Sequence, residues 1–429
     1  MHELTALIRQ DMKPALGVTE PGAIAYCVAE ARTRVPGELI HLSVSMNSGL
    51  YKNAMTCGIP NSTRVGAVYA AALGFVAGDP ERGLEALAGV DEAADEAAQK
   101  YVQEGRIEVR VSVMSSRIYL HARLQTTAGE AEVTIRDAHT HITRISVNGK
   151  EILKTAEESM AEDSEEESGS TPALIHRYTL RELLDYTETI PFEEIRFVLE
   201  AYRVNLALSR EGMDSPRTRF ARQLLAMNGG REISRDERKS SSLLCNAAIE
   251  ARVIGLKKPA MSITGSGAHG IIATLPLYAL QQIHSFSEEL LCRATMLSYL
   301  ICTYIKEYSG RLSAFCGCGI AAGTGMAMAA CWLKGGDYAA ICGTLHNMAS
   351  SITGMICDGG NQGCVMKGVA ACAAAFDSLE LALGGVSVAP AHGINGKTPE
   401  ETMRNMGRIA SPGMTETEKI IVAIQEEKV

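Results

Sequence analysis

Between residues 155 and 171 the chain reads TAEESMAEDSEEESGST, a dense acidic run with almost no apolar side chain. Such a stretch cannot bury enough apolar surface to offset the entropy of ordering it, so it reads as a solvated connector. It divides a 429-residue chain, already longer than one hydrophobic core usually supports, into two unlike parts. Before the run, helical and strand periodicities mix; after it, the helical period continues to the end. The expected fold is therefore α+β: an α+β domain over 1–154 with an antiparallel sheet, an acidic linker over 155–173, and an all-α domain over 174–429.

Residues 1–34 read as helical with a break at Gly17-Val18-Thr19-Glu20-Pro21, where Thr19 suits an N-cap and Pro21 the first turn of a second helix. Over 38–47 the period drops towards two, which predicts a strand. An Ala-rich helix follows over 63–77, and another, acidic on one face, over 80–104. Four alternating runs, 107–114, 118–126, 130–137 and 141–147, predict strands with short turns between them, and Asn148-Gly149 is a turn signal. Beyond the acidic run, helices are expected over 178–189, 191–211, 215–229, 235–254, 269–282, 286–308, 319–334, 337–349, 363–383 and 415–427.

A net charge of −9 argues against a nucleic-acid partner, which would want a basic face. The first residues are partly acidic and lack a long apolar run, so they do not read as a signal peptide. The most apolar stretch, 321–333, is too short and too rich in Gly and Ala to span a membrane. The expected setting is cytoplasmic, where the twelve cysteines serve as thiols or metal ligands rather than disulfides. Helices this rich in Ala and Gly pack closely, which suits a homodimer.

Three stretches of the helical half interrupt the helical pattern with glycine and reactive side chains. In 262–270, SITGSGAHG, small residues lead into a helix start at about His269. Exposed N–H groups there suit a carboxylate or phosphate, although a tight turn explains the glycines as well. The other two are Cys316-Gly317-Cys318-Gly319 and Cys357-Asp358-Gly359-Gly360-Asn361-Gln362-Gly363-Cys364. Glycine-flanked cysteines ahead of helices let a backbone wrap an iron–sulfur core and place helix N-termini against its negative charge. Zinc would favour a CxxC-like spacing that neither pair has. Buried metal-free thiols are the alternative. Cys245, Cys292, Cys302, Cys331, Cys342 and Cys372 fall in apolar helical stretches and read as small hydrophobes, as do Cys27 and Cys57. His139 and His141, two apart on an expected strand, share a face that could bind metal but reads rather as solvated, and His346 and His392 are isolated. In the first half, Glu20 sits at a helix start, and Asn47, Ser48, Lys52 and Asn53 follow a strand. Lysine and amide donors so placed suit either an amino-acid carboxylate or a surface turn.

Together these segments resemble the iron–sulfur L-cysteine desulfidase family, which is related to the α-chain of bacterial iron–sulfur L-serine dehydratases. The matching pieces are Lys13-Pro14-Ala15-Leu16-Gly17-x-Thr19-Glu20-Pro21, Lys52-Asn53 with Gly58-Ile59-Pro60, and Gly265-Ser266-Gly267-x-His269-Gly270. To these are added Cys316-Gly317-Cys318, the segment 354–359 with Cys364, and the tail from Gly393-Ile394-x-Gly396 to Asn405-x-Gly407. The resemblance implies a [4Fe–4S] cluster held by three cysteines: Cys357, Cys364, and either Cys316 or Cys318. It implies a β-eliminating lyase on L-cysteine or a related small amino acid, giving pyruvate, ammonia, and sulfide or water. Thr19, Glu20, Asn47, Ser48, Lys52 and Asn53 would form the substrate pocket from one half, and Ser266, Gly267 and His269 would close it from the other, with Lys52, Glu20 and His269 as catalytic groups. At Val18 the chain departs from the pattern, which has cysteine there. Valine has neither lone pair nor acidic proton, which leaves a divergent substrate, a substitute such as Lys52 or Cys57, or a non-catalytic iron–sulfur or ligand-sensing protein. Glu20 and His269 as acid and base of a hydrolase form a third reading, without a nucleophile elbow or zincin spacing behind it.

Overall fold

The structure is a computed structural model, described for residues 1–155, 173–310 and 312–428. The expected acidic linker 155–173 thus lies, but for its two end residues, outside the described residues.

The α+β half is built on a sheet of six strands: β2 (Leu39–Asn47), β3 (Ile107–Val113), β4 (Tyr119–Thr126), β5 (Gly129–Arg136), β6 (Ile142–Val147) and β7 (Lys150–Lys154), in the order β3-β2-β4-β5-β6-β7. The sheet is mixed rather than antiparallel throughout, because β3 pairs parallel to β2 (Leu42 opposite Ile107). A parallel neighbour needs a crossover, and the helices Ala67–Ala77 and Glu92–Gln103 supply it. On β2 and β4, Leu42, Val44, Met46, Leu120, Ala122 and Leu124 alternate with more exposed neighbours, so one sheet face is buried. The helices Thr19–Arg34 and Ala67–Ala77 cover it, crossing so closely that a Cβ on Gly74 would lie 2.6 Å from Ala25 Cα. The expected single helix over 80–104 is broken: a 3-10 turn, Pro80–Glu85, holds Gly83 at φ +54°, and the α-helix starts anew beyond Asp91, whose side chain caps Ala94 N at 2.9 Å.

Residues 1–34 are not all helical, and the second half is not all-α. β1 (Lys13–Leu16) pairs antiparallel with β8 (Pro259–Ser262), Lys13 opposite Ser262 and Leu16 opposite Pro259. Four-residue strands show no readable period, but the residue before Pro14 is biased towards extended backbone. The pairing carries Leu4 and Ile8, from the helix Glu3–Asp11, into the apolar core of the helical half. At the centre of that half lies the helix Glu288–Ser309, buried on nearly every side from Leu291 onward. A helix the sequence pattern did not reveal, Pro399–Ala410, begins with Thr398 as N-cap and proline at its first position.

The last helix, Thr415–Glu426, returns to the first half, where Val422 joins the sheet-side core. Its Glu418 carboxylate meets Lys52 Nζ at 2.7 Å with both side chains buried, and Lys52 also donates to the Ser313 carbonyl at 3.1 Å. Breaking a buried pair strands one charge, so Lys52→Met should destabilise by about 3–5 kcal/mol, and Lys52→Met with Glu418→Leu should recover most of that. Urea unfolding of the single and double variants measures it.

Candidate active site at the cysteine loops

The two cysteine loops are joined by their backbones. Phe315 and Ile356 form an antiparallel bridge; Cys316 N donates to the Met355 carbonyl at 2.9 Å and Cys357 N to the Ala314 carbonyl at 2.6 Å. Gly359 holds φ +105°, and a Cβ there would collide with the Lys52 carbonyl, so only glycine lets this loop lie against the helix Ser48–Ala54. Cys364 opens the helix Gly363–Leu383, and its thiol donates to the Gly359 carbonyl at 3.3 Å. Cys318 opens a π-turn, Cys318–Ala322, that leads into the helix Gly323–Leu333.

Cys318, Cys357 and Cys364 line one cavity of about 70 Å³ together with Val18, Glu20 and Asn53 from the first half and Ser266 and His269 from the second. Cys316 stands directly behind, hydrogen-bonded to Cys318. Gly267 does not line the cavity, although its chain neighbours Ser266 and Ala268 do. Glu20 accepts from Asn53 Nδ2 at 2.8 Å, and Asn53 Oδ1 lies 3.8 Å from Cys357 Sγ. Thr19 is the first helical residue rather than the N-cap, which is Val18; its hydroxyl donates to the Gly265 carbonyl at 3.4 Å.

Lys52, Asn47 and Ser48 lie elsewhere, and Thr19, although expected in the substrate pocket, does not line the cavity. Lys52 is occupied by Glu418, outside the cavity. Asn47 bonds the Ser115 carbonyl (2.8 Å) and Tyr119 N (3.1 Å), and Ser48 bonds Ser115, so both fasten the turn between β3 and β4. Their sequence position beside Asn53 gave no sign of this, because helix Ser48–Ala54 turns its faces in different directions. Cys57, the other named substitute for the missing cysteine, is fully buried and bonds the Ala54 carbonyl, with its thiol pushed up by burial.

Three side chains on the cavity wall were not foreseen. His139 is buried, in a loop before β6 rather than on a solvated strand, with Nε2 3.9 Å from Glu20. Arg252, 5% exposed, comes from the helix Glu237–Val253, and Lys306, 4% exposed, from the central helix Glu288–Ser309. A basic residue within an Ala-, Leu- and Ile-rich helical stretch was the available signal. Such residues rarely bury without a functional or paired reason.

The charges favour one thiolate. Thr264 Oγ1 lies 2.8 Å from the Ile263 carbonyl and 2.5 Å from His269 Nδ1, so Nδ1 is engaged by Thr264. The hydrogen-bond network therefore assigns Nε2 to the cysteine side, where a Cβ on Gly317 would lie 2.5 Å from it. The Cys318 thiol is held well below its usual value, first by the hydrogen bond from Cys316, then, against burial, by His269 and the Arg252 charge. Cys316 is held correspondingly high by the same hydrogen bond and by burial. Burial and the neighbouring Cys318 push Cys364 up to about 12. Burial lowers the Lys306 ammonium.

Among the described residues, no three His, Cys, Asp or Glu side chains converge tightly enough for a single metal ion. A cluster makes a different demand, since each thiolate takes its own iron and the ligands stand farther apart. Three thiols opening on one cavity, with cationic groups behind them, fit that demand.

Residues 81–423 match the family described as serine dehydratase alpha chain. The chain belongs to this family. Similar over nearly their whole lengths are UPF0597 proteins of Clostridium botulinum (37% identity, covering 98% of this chain and 97% of theirs), of Caldanaerobacter subterraneus (35%; 99% and 98%) and of Clostridioides difficile (32%; 98% and 98%). The match names the serine dehydratase alpha chain and not a cysteine desulfidase. The matched span includes Arg252, His269, Lys306 and all four loop cysteines of this serine dehydratase alpha family member, while Val18, Glu20 and Asn53 precede it. No helix among the described residues is long and apolar enough to cross a membrane.

In metal-free protein, iodoacetamide should alkylate Cys318 well below the ordinary thiol range near pH 8.5, because a lowered pKa keeps the reactive thiolate present as pH falls. Cys364, held up at about 12, should stay unlabelled, and His269→Ala should move the onset for Cys318 upward. Mass spectrometry of labelling between about pH 5 and 9 reads both.

Proposed function

We propose that the chain is a [4Fe–4S]-dependent lyase of serine dehydratase type that eliminates the β-substituent of a small amino acid, L-serine or L-cysteine. The observation that carries this is the meeting of Cys318, Cys357 and Cys364 with His269, Lys306 and the Glu20–Asn53 pair around one small cavity, in a chain of the serine dehydratase alpha family. Cys357, Cys364 and Cys318 are the thiols that would hold the cluster, with Cys316 the alternative to Cys318. A cluster with three protein ligands supplies a Lewis-acid iron for the departing hydroxide or hydrosulfide.

The chain's own residues do the rest. Thr264 orients the His269 ring, and His269 and Lys306 stand together beside Gly317, where a Cβ would lie 2.5 Å from His269 Nε2 and 3.2 Å from Lys306 Cδ. One of these takes the α-proton; a lysine lowered by burial is suited to that work. Loss of the α-proton and the β-substituent leaves aminoacrylate, which tautomerises and hydrolyses to pyruvate and ammonia. Elimination without a carbonyl cofactor needs geometry fixed, and the cavity is lined by both halves of the fold.

A second reading, a ligand-sensing iron–sulfur protein, is favoured by Val18. Its methyls lie on the cavity wall against Gly360, where a Cβ would come within 2.9 Å of Cγ1, so no thiol is offered there.

Protein purified without oxygen should carry about four iron and four sulfide per chain, and Cys357→Ser should lose most of both along with the visible absorbance. Pyruvate release from L-serine or L-cysteine under the same atmosphere is the expected activity. A full cluster with no turnover of either would establish the sensing role instead, and no iron after anaerobic reconstitution would remove both readings.

A further inference from the structure

Arg252 reaches the cavity from the last turn of the helix Glu237–Val253, and its Nε, though buried, has no hydrogen-bond partner among the described residues. The nearby acids are engaged elsewhere. Glu250 accepts the backbone N–H groups of Arg219 (2.8 Å), Phe220 (3.2 Å) and Ala221 (2.7 Å). Glu20, the acidic residue on the described cavity wall, accepts from Asn53. A guanidinium cannot shed its proton to escape burial, so an unmatched one at 5% exposure carries a standing free-energy penalty.

The group lies against a second donor set. A Cβ on Gly267 would stand 2.8 Å from Arg252 Nε and 3.3 Å from Cδ, so the guanidinium stem rests on the first turn of the helix Gly267–His284. That turn's N-cap, Ser266, makes no side-chain cap bond, which leaves the first amides of an 18-residue helix uncapped by it at the cavity wall. Gly270 is fixed there too, since a Cβ would collide with the Met261 carbonyl of β8. A planar cationic fork beside uncapped amides is complementary to a carboxylate, which accepts from both at once. A cavity of about 70 Å³ has room for about five water-sized bodies at roughly 15 Å³ each, enough for a molecule of a few heavy atoms.

We propose that Arg252, with the N-terminus of the helix Gly267–His284, binds the α-carboxylate of the substrate and restricts this cavity to small free acids. The identity of that acid as a substrate rests on the lyase reading; the binding of a carboxylate does not. His269, in the same helix turn, and Lys306 beside it would then lie near the carbon next to the anchored carboxylate.

The test uses anaerobically purified full-length protein, wild type and with Arg252→Lys or Arg252→Met. The probes are pyruvate, by calorimetry, and L-serine against L-serinamide as substrates. Loss of one partner of a buried charged pair should weaken pyruvate binding and raise KM for L-serine on the order of 100-fold in Arg252→Met, with kcat changed far less and Arg252→Lys in between. L-serinamide should be rejected by the wild type. Iron content should stay unchanged and Tm should not fall, because the loss of Arg252 strands no hydrogen-bonded acid partner among the described residues. Pyruvate affinity unchanged in Arg252→Met would overturn the proposal, as would loss of iron in Arg252→Lys, which would make the residue a support of the thiols. If wild type turns over nothing yet binds pyruvate through Arg252, the lyase reading fails and the carboxylate site stands.

Discussion

The pairing of β1 with β8 is the constraint on which the rest of the architecture turns. Four residues from each half of the chain form two short strands, and both strands lead directly into helices whose first turns face one cavity. Gly17, at φ +66°, turns the chain out of β1, and Thr19 then reaches the Gly265 carbonyl beyond β8. The Ser262 hydroxyl donates to the Lys13 carbonyl at 2.6 Å, and Asp11 receives Thr264 N at 2.5 Å, so the turn that orients His269 is itself held by the first half. Displacing either strand by a residue would shift the helix starts at Thr19 and Gly267 relative to one another.

The rest of the site follows from close backbone approach. Few residues are aromatic, and the helices are packed through glycine and alanine at distances a larger side chain would prevent. Gly359 against the Lys52 carbonyl and Gly360 against Val18 bring the second cysteine loop to the first half; Gly317 admits His269 and Lys306 to the first cysteine loop. The Lys52–Glu418 pair and the bond from Gln425 Nε2 to the Asp358 carbonyl (2.9 Å) then brace both loops from the last helix. Residues far apart in sequence therefore set one another's position through main-chain contacts, in which side-chain identity matters mainly by being small.

That explains what could be read in the sequence. Long periodic segments were legible: the sheet strands β2 to β6, the helical second half, and the glycine-flanked cysteines as a group. Strands of four residues were not, since β1 and β8 are shorter than any usable period and are defined by each other. The parallel placing of β3 was equally hidden, because alternation gives the face of a strand and not its neighbour. Within the site, Glu20, Asn53, Ser266, His269 and the cysteines carried local motifs, whereas Lys52, Asn47 and Ser48 had the chemistry but point to other partners. Arg252, Lys306 and His139 lay inside stretches with no motif, and their importance comes only from burial and position.

Burial of those cations also bears on what the thiols are for. Arg252 and Lys306 are nearly inaccessible, and removing such a charge from water costs several kcal/mol unless negative charge stands nearby. Glu20, hydrogen-bonded to Asn53 and 3.9 Å from His139, is the acidic residue on the described cavity wall. The Cys318 thiol is held well below its usual value by its neighbours, and Lys306, whose Nζ donates to the Gly310 carbonyl at 2.7 Å, also lies near Cys302, Cys357 and Cys318. A thiolate-bound anionic centre on one side and a substrate carboxylate on the other would complement this cationic wall. The cation placement therefore supports a cavity built for two anions at once. Val18, packed against Gly360, adds an apolar side chain to the same wall, and charges interact more strongly where water is displaced.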